Sequence, residues 1–164
     1  MKPFIVVMGV SGCGKTTVAE ALAEALEGTY LEGDSFHSLE AKAKMGGGIP
    51  LTDEDRWPWL DQMARAASAE VAFGHTPVLS CSALKESYRR YLFSGFDDPR
   101  LIYLRGSFEL IKSRMDARDH EYMNSSLLRS QFDTIEEPKK APNVLTLSVR
   151  ASPGAIVRSV CDWL

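Results

Sequence analysis

The stretch from Gly9 to Thr16 constrains this chain more than any other feature of its sequence. It reads Gly-Val-Ser-Gly-Cys-Gly-Lys-Thr and satisfies the pattern G-x-x-x-x-G-K-[ST]. An apolar run, Phe4 to Met8, precedes it and predicts a β-strand, while apolar residues at helical spacing follow it from Val18 to Leu26. A glycine-rich loop between a strand and a helix is the context in which this motif binds phosphate. The sequence therefore predicts an α/β fold with an anion site at the end of its first strand.

The residues of this loop have separate roles in holding a nucleotide. Its glycines allow consecutive backbone N–H groups to turn inward around an anion, and the N-terminus of the following helix adds its dipole. Lys15 is predicted to bridge the β- and γ-phosphates during catalysis, and the Thr16 hydroxyl is a predicted Mg²⁺ ligand. The alternative is a glycine-rich turn that binds nothing. We predict a site for ATP and Mg²⁺ formed by Gly9, Val10, Ser11, Gly12, Cys13, Gly14, Lys15, Thr16 and Thr17.

The three cysteines, Cys13, Cys81 and Cys161, do not form a C-x-x-C or Cys/His pattern. A disulfide framework or zinc site is therefore not expected, and two of the thiols should be packed in the interior. Cys13 has two interpretations. A thiol at a helix N-terminus can have a lowered pKa and become reactive, or Cys13 can be a small residue that fills a variable position of the motif, which we favour.

Apolar runs and helical patterns alternate along the whole chain. Alternation of this kind predicts a parallel sheet covered by helices on both faces, with ligands at the carboxyl ends of the strands. We found no linker or repeat, so residues 1–164 are expected to form one domain. A helix should start at Thr52 with an acidic first turn, and Pro58 should kink or shorten it. A short apolar run that ends at Leu31 is the second predicted strand. The later predicted strands cover Pro77 to Ser80, Leu101 to Leu104 and Val144 to Ser148.

Composition limits the classes of partner. The 164-residue chain is 45% hydrophobic with a formal net charge of −3 and a pI near 5.6, which argues against broad binding to nucleic acid or to an anionic membrane. The apolar run near the N-terminus is too short to span a membrane and lacks the features of a secretory signal. A cytoplasmic protein is expected, and its anion binding must be local.

The motifs present also limit the class of nucleotide-binding protein. A regulatory GTPase would carry D-x-x-G and N-K-x-D, and neither occurs in the sequence. A chain of 164 residues leaves little room for the additional subdomains of a motor ATPase. Phosphoryl transfer to a small molecule is therefore the leading class.

Two carboxylates follow the second predicted strand. Glu32 and Asp34 should lie at the carboxyl edge of the sheet, near the γ-phosphate. Asp34 could orient and deprotonate an acceptor hydroxyl, and Glu32 could hold a Mg²⁺-bound water. Acidic residues at a strand end are also often only solvated turn residues, but the phosphate loop one helix upstream favours the catalytic interpretation.

Four segments together resemble one family. They are Gly9 to Thr17; Glu32-Gly33-Asp34 with His37 and Lys44-Met45; residues 48–60, with Asp53-Glu54-Asp55-Arg56-Trp57-Pro58-Trp59-Leu60 at their centre; and Cys81-Ser82-Ala83-Leu84-Lys85 with Tyr88-Arg89. A fifth segment, Leu127-Leu128, Ser130-Gln131-Phe132 and Glu136 to Pro138, continues the match. With these residues, the chain resembles bacterial gluconokinases over nearly its whole length.

The resemblance implies a three-layer P-loop kinase fold of the nucleoside-monophosphate-kinase-like branch, with a lid around residues 118–130. It also implies transfer of phosphate from ATP to D-gluconate, with Asp34 as the catalytic base. A homodimer is left open. An arginine suits a sugar acid because its planar fork can bond both carboxylate oxygens, although Arg56 could instead only pair with Asp53 or Asp55. The implied substrate-binding residues are Asp34, His37, Lys44, Arg56, Lys85 and Gln131.

Arg114 and Arg118 lie four residues apart and should share one helix face beside the predicted lid. Two cations there could stabilise the transferring phosphoryl group, so both are predicted nucleotide contacts, and Arg118 is also a predicted catalytic residue. The alternative is a solvated basic stripe paired with Asp116 or Asp119.

The chain departs from the family pattern at a few positions. Ser38 and Ala41 occupy positions where the family has Pro and Asn, and residues 121–124 replace a His-Phe-Met-Pro run. Two other activities stay open: shikimate-kinase-like phosphorylation of another hydroxylated acid, and nucleotide binding without transfer. The triple glycine Gly46-Gly47-Gly48 lies between the second and third predicted strands, whereas shikimate kinases carry theirs after the third strand, so gluconate is favoured.

Overall fold

The computed structural model describes residues 2–117 and 125–164. Within these ranges the chain forms five β-strands and seven α-helices. In chain order they are β1 (Phe4–Met8), α1 (Lys15–Ala25), β2 (Thr29–Glu32), α2 (Leu39–Gly46), α3 (Asp53–Ala72), β3 (Pro77–Ser80), α4 (Glu86–Phe93), β4 (Pro99–Arg105), α5 (Phe108–Asp116), α6 (Ser125–Thr134), β5 (Val144–Ser148) and α7 (Pro153–Trp163). A 3₁₀ turn at Gly33–Phe36 follows β2. No helix in this described part of the chain is both long and apolar enough to cross a membrane.

The sheet is parallel throughout and has the strand order β2-β3-β1-β4-β5. The predicted strands are confirmed, and β4 is longer than expected because it begins at Pro99 and ends at Arg105. Ser80 at the end of β3 pairs with Val7 of β1 on one side and with Glu32 of β2 on the other. Because all strands run in one direction, the phosphate loop, Glu32 and Ser80 meet at one edge of the sheet.

The central strand β1 separates two apolar cores. All five of its residues are buried, and alternate side chains point to opposite faces of a strand. Ile5 and Val7 belong to the cluster that includes residues of α1 and α7, whereas Phe4, Val6 and Met8 belong to the cluster that includes residues of α3 and α4. Helices therefore cover both faces of the sheet, which confirms the predicted three-layer architecture.

The start of α3 has the predicted cap. The Thr52 hydroxyl accepts from the Asp55 N–H, and the Asp55 carboxylate accepts from the Thr52 N–H, so both groups of a capping box are present. Of the two expected effects of Pro58, shortening of the helix is wrong, since α3 continues to Ala72, and a kink stays a prediction. Pro58 is exposed, so the Glu54 carbonyl that loses its N–H partner can bond to water.

The turn that carries Asp34 is held in place from two sides. The indole Nε1 of Trp59 on α3 donates to the Gly33 carbonyl at 2.8 Å. On the other side the backbone packs so closely that a Cβ at Gly33 would lie 2.2 Å from the Ser80 carbonyl oxygen. Only glycine fits at position 33 without a shift of the backbone.

This packing generates a stability prediction. Gly33→Ala should lower the free energy of unfolding by roughly 1–3 kcal/mol, because the backbone must move to relieve the contact with Ser80. The same shift should displace Asp34 and lower turnover. The matched control is Gly46→Ala on α2, where a Cβ would meet no atom within 4 Å. Urea unfolding of both variants tests this, and equal stabilities would contradict the close approach.

Candidate nucleotide and acceptor site

A cavity of about 500 Å³ opens at the carboxyl edge of the sheet, over the phosphate loop. Its volume is typical of small-molecule sites. Four parts of the chain form its wall: the phosphate loop with the start of α1, the segment from Asp34 to Arg56, Ser82 after β3, and α6. The lining residues are Ser11, Gly12, Gly14, Lys15, Thr16, Thr17, Asp34, Ser35, His37, Lys42, Met45, Pro50, Leu51, Arg56, Ser82, Leu127, Ser130 and Gln131. The structure thus brings the predicted nucleotide loop and several predicted acceptor residues to one cavity.

The phosphate loop has the backbone geometry that its glycines predict. Gly12 and Gly14 have φ angles of 81° and 95°, in the left-handed region that favours glycine. Gly14 is the N-cap of α1, so the first helical residues are Lys15 and Thr16. The Lys15 ammonium donates to the Val10 carbonyl at 3.3 Å and remains on the cavity wall. A positive side chain and the helix N-terminus therefore face the same space.

Cys13 serves packing within this loop. Its side chain is 4% exposed and lies against Gly9, where a Cβ would come within 2.6 Å of the Cys13 sulfur. Burial raises the pKa of the thiol in spite of the opposing effect of Lys15. The interpretation of Cys13 as a small filler is favoured over a reactive thiolate. Cys81 is also buried and Cys161 is exposed, as expected of two packed thiols.

Glu32 joins the loop to the acceptor side through four hydrogen bonds. Its carboxylate accepts from the Thr16 hydroxyl at 3.1 Å, from the Ser80 hydroxyl at 3.1 Å and from the phenol of Tyr30. It also accepts from the Asp34 N–H at 3.3 Å and so caps the 3₁₀ turn. Burial and the bond to Glu32 raise the pKa of Tyr30 to about 12, which keeps the phenol protonated as a donor. Glu32 does not itself line the cavity.

Asp34 lies on the cavity wall with Lys15. Solvent reaches its side chain, but the surrounding protein removes much of the water around the carboxyl group. This desolvation raises the pKa of Asp34 above its ordinary value of 3.8. The positive charges of Lys15 and Lys42 lower this pKa, and the negative charge of Glu32 raises it further, but desolvation has the largest effect. A carboxylate with a raised pKa that faces a cationic cavity is suited to accept a proton.

His37 is held uncharged beside the cavity. Its ring is 8% exposed and stacks on Trp59 with the ring centroids 4.2 Å apart. Burial, with the nearby charges of Arg56 and Lys42, lowers the pKa of His37 to about 4. Its buried Nδ1 has no hydrogen-bond partner among the described residues. A neutral imidazole with a free nitrogen can bond a substrate hydroxyl.

Arg56 is the predicted acid-binding residue that the structure places best. Its guanidinium lies 5.4 Å from the centroid of the Tyr88 ring, and one amino group makes a long bond of 3.4 Å to the Leu51 carbonyl. The buried Nε has no partner within residues 2–117 and 125–164. The surface ion pair that we considered as an alternative does not form there, since Asp53 and Asp55 bond to other cations.

Those cations are two other predicted substrate residues. Lys44 pairs with Asp55 at 3.1 Å, and Lys85 pairs with Asp53 at 3.1 Å. Tyr88 also donates to Asp53. Neither lysine lines the main cavity, but Lys85 lines a second cavity of about 480 Å³ that Arg56 shares. Their role in binding substrate stays a prediction.

Of the predicted residues Gln131 and Arg114, only Gln131 contacts the phosphate loop through a hydrogen bond within the described part of the chain. Gln131 on α6 accepts through Oε1 from the Ser11 N–H of the phosphate loop at 2.7 Å. Arg114 donates to the Val149 carbonyl at 2.9 Å and does not line the cavity. Arg118 and residues 119–124 of the predicted lid lie outside the described residues, while residues 125–130 belong to α6.

Sequence reasoning missed several residues of the cavity wall. The missed residues that line it are Lys42, Met45, Ser82, Leu127 and Ser130. All of them except Lys42 lie in segments that resemble the family, and that resemblance was the only signal that could have found them.

The departures from the family pattern at Ser38 and Ala41 also have an explanation. The Ser38 hydroxyl accepts from the Ala41 N–H at 3.1 Å and caps α2. Ala41 is 5% exposed and does not line the cavity.

Comparison with known proteins agrees with this geometry. The model of a family described as an AAA domain matches residues 5–133. A gluconokinase of Gluconobacter oxydans is 41% identical, over 98% of this chain and 90% of its own. The chain belongs to the gluconokinase family. As a P-loop kinase of this family it uses ATP, and it also belongs to the broader AAA-domain family.

Solved structures of related kinases have the same fold as this chain. A gluconokinase from Sinorhizobium meliloti has a TM-score of 0.87 and 41% identity, covering 98% of this chain and 90% of its own. A sugar kinase from Janibacter sp. has a TM-score of 0.94 and 40% identity, covering 99% of this chain and 94% of its own. The fold predicted from the P-loop and the alternating pattern is confirmed.

The low pKa of His37 generates a prediction about stability. Between pH 6.5 and about 4 the unfolded chain protonates His37 and the folded chain does not, so acidification within this window favours unfolding. His37→Gln removes this contribution, so its melting temperature should fall less from pH 7 to pH 5 than that of the parent. A neutral change at an exposed position of α3, Gln62→Asn, is the control and should keep the parental dependence. Equal dependence in the His37 variant and the parent would contradict the neutral buried state.

Proposed function

We propose that the protein transfers the γ-phosphoryl group of ATP to D-gluconate, forming ADP and 6-phospho-D-gluconate. The observation that carries the proposal is that Lys15, Asp34 and Arg56 face one cavity. Together they can hold a phosphate chain, a reacting hydroxyl and a carboxylate. Membership of the gluconokinase family supports gluconate as the acid that fits this arrangement.

The nucleotide end of the site is the phosphate loop. The backbone N–H groups of Gly12 to Thr16 and the Lys15 ammonium are proposed to bind the β- and γ-phosphates. The Thr16 hydroxyl and the Glu32 carboxylate, 3.1 Å apart, are a hard oxygen pair that fits Mg²⁺, with Glu32 acting through a water. When bound, Mg²⁺ neutralises charge on the phosphate oxygens. Arg114 and Arg118 are proposed to add positive charge around the transferring group.

The reaction proceeds by in-line displacement. The terminal hydroxyl oxygen of gluconate attacks the γ-phosphorus, the bond from that phosphorus to the bridging oxygen breaks, and ADP leaves with the bonding electrons. Asp34 accepts the hydroxyl proton. Its raised pKa makes it a better proton acceptor than an ordinary carboxylate.

The acid end of the site supplies recognition. Arg56 is proposed to bond both carboxylate oxygens, because its Nε is free of protein partners within the described residues and its planar fork fits a carboxylate. His37 lines the cavity, and its neutral ring is proposed to bond a substrate hydroxyl. Lys44 and Lys85, already paired with the acidic first turn of α3, are proposed to act at the edge of the acid site.

The acid preference can be measured directly. ADP release should be fastest with gluconate in a panel of aldonic acids and shikimate, and Arg56→Lys should raise KM for gluconate by roughly tenfold or more, because a point charge replaces bidentate recognition. Arg65→Lys, the same change at an exposed position of α3, is the matched control and should behave as the parent. Another acid used at least tenfold better than gluconate would overturn the assignment of substrate.

A further inference from the structure

Gln131 has a fixed orientation in the site. The Ser11 backbone nitrogen can only donate, so the atom that receives its hydrogen bond at 2.7 Å is the carbonyl oxygen of the Gln131 carboxamide. The two residues lie 120 positions apart in the sequence, and α6 is thereby tied to the phosphate loop. With Oε1 committed, the Nε2 amino group is the remaining polar group of the side chain, and the hydrogen bonds of residues 2–117 and 125–164 give it no acceptor.

The helix that carries Gln131 is anchored through the residues that follow it and through its own buried side chains. Beyond its end, the Glu136 N–H donates to the Leu84 carbonyl and the Glu136 side chain accepts from the Glu86 N–H, both at 2.8 Å. The buried Arg89 donates to the Glu136 carbonyl at 2.8 Å. Within the helix, Leu127 and Leu128 are buried.

Leu84 and Glu86 flank Lys85, so α6 is anchored to the loop on the acid side while Gln131 holds the loop on the nucleotide side. Gln131 also lines the cavity that Lys15 and Asp34 share. The group that passes between these two sides during the reaction is the γ-phosphoryl group.

We propose that Gln131 recognises the γ-phosphoryl group, with Oε1 fixed by the Ser11 N–H and Nε2 donating to a γ-phosphate oxygen. The inference rests on the proposed function and changes the assignment of Gln131 from an acid contact to a nucleotide contact. An amide donor at this position distinguishes ATP from ADP, since only ATP presents the terminal phosphate. The same bond holds the phosphoryl group in line between Lys15 and the acceptor hydroxyl.

Gln131→Glu tests this assignment sharply. A glutamate can still accept from the Ser11 N–H, but it replaces the amino donor by a negatively charged oxygen facing the γ-phosphate. Calorimetric titration at fixed Mg²⁺ should show that a non-hydrolysable ATP analogue binds on the order of ten- to a hundredfold more weakly, while ADP affinity changes little. Gln131→Met, which has no donor and no added charge, should shift the same affinity ratio in the same direction by less.

The matched control is Gln62→Glu, which makes the same change of charge at an exposed position of α3 and should leave both affinities unchanged. Equal weakening of the ATP analogue and ADP would show that Gln131 only supports the loop. Unchanged nucleotide affinities with a raised KM for the acid would return Gln131 to the acid site. Either result overturns the proposal. Because the titrations contain no acid, they are independent of the assignment of gluconate.

Discussion

The carboxylate of Glu32 is the group on which the geometry of the site depends. It receives the hydroxyls of Thr16, Tyr30 and Ser80 and the backbone N–H of Asp34, so it connects α1, β2, β3 and the 3₁₀ turn. Each carboxylate oxygen receives two of these bonds, and losing both donors of one oxygen would leave it unsatisfied, which is costly in a protein interior. The phosphate loop and Asp34 are consequently held at a fixed separation by one side chain that does not touch the cavity.

Charge is distributed unequally around this fixed frame. Lys15, Lys42 and Arg56 line the cavity, whereas Lys44 and Lys85 are neutralised by Asp55 and Asp53. The cavity wall therefore keeps cations for two anionic substrates. The acidic first turn of α3 has a double role, because its carboxylates stabilise the helix N-terminus and also hold the lysines of neighbouring segments. Removing those carboxylates would free two cations at the edge of the acid site.

The local features of this architecture could be predicted from the sequence and the long-range ones could not. The phosphate loop is contiguous and β1 is uniformly apolar, so both followed from residue spacing. The capping box of α3 is also local, but the passage of α3 through Pro58 depends on an exposed carbonyl that only the fold defines. The bond from Ser11 to Gln131 and the network around Glu32 depend on strand order and on the position of α6, which spacing along the chain does not encode. The resemblance to gluconokinases pointed to Gln131 on α6 without indicating its bond to the Ser11 N–H of the phosphate loop.

The central claim is that Asp34, whose pKa is raised by its surroundings, is the catalytic base. The pH dependence of kcat/KM for gluconate tests this assignment most directly. The account predicts that the rate falls on the acid side with a midpoint above 3.8, because desolvation raises the pKa of the base in the free enzyme. Asp34→Asn should lower the rate by roughly 10² to 10⁴ and abolish this acid limb. An acid limb that persists in Asp34→Asn, or parental turnover in that variant, would contradict the assignment of Asp34 as the base.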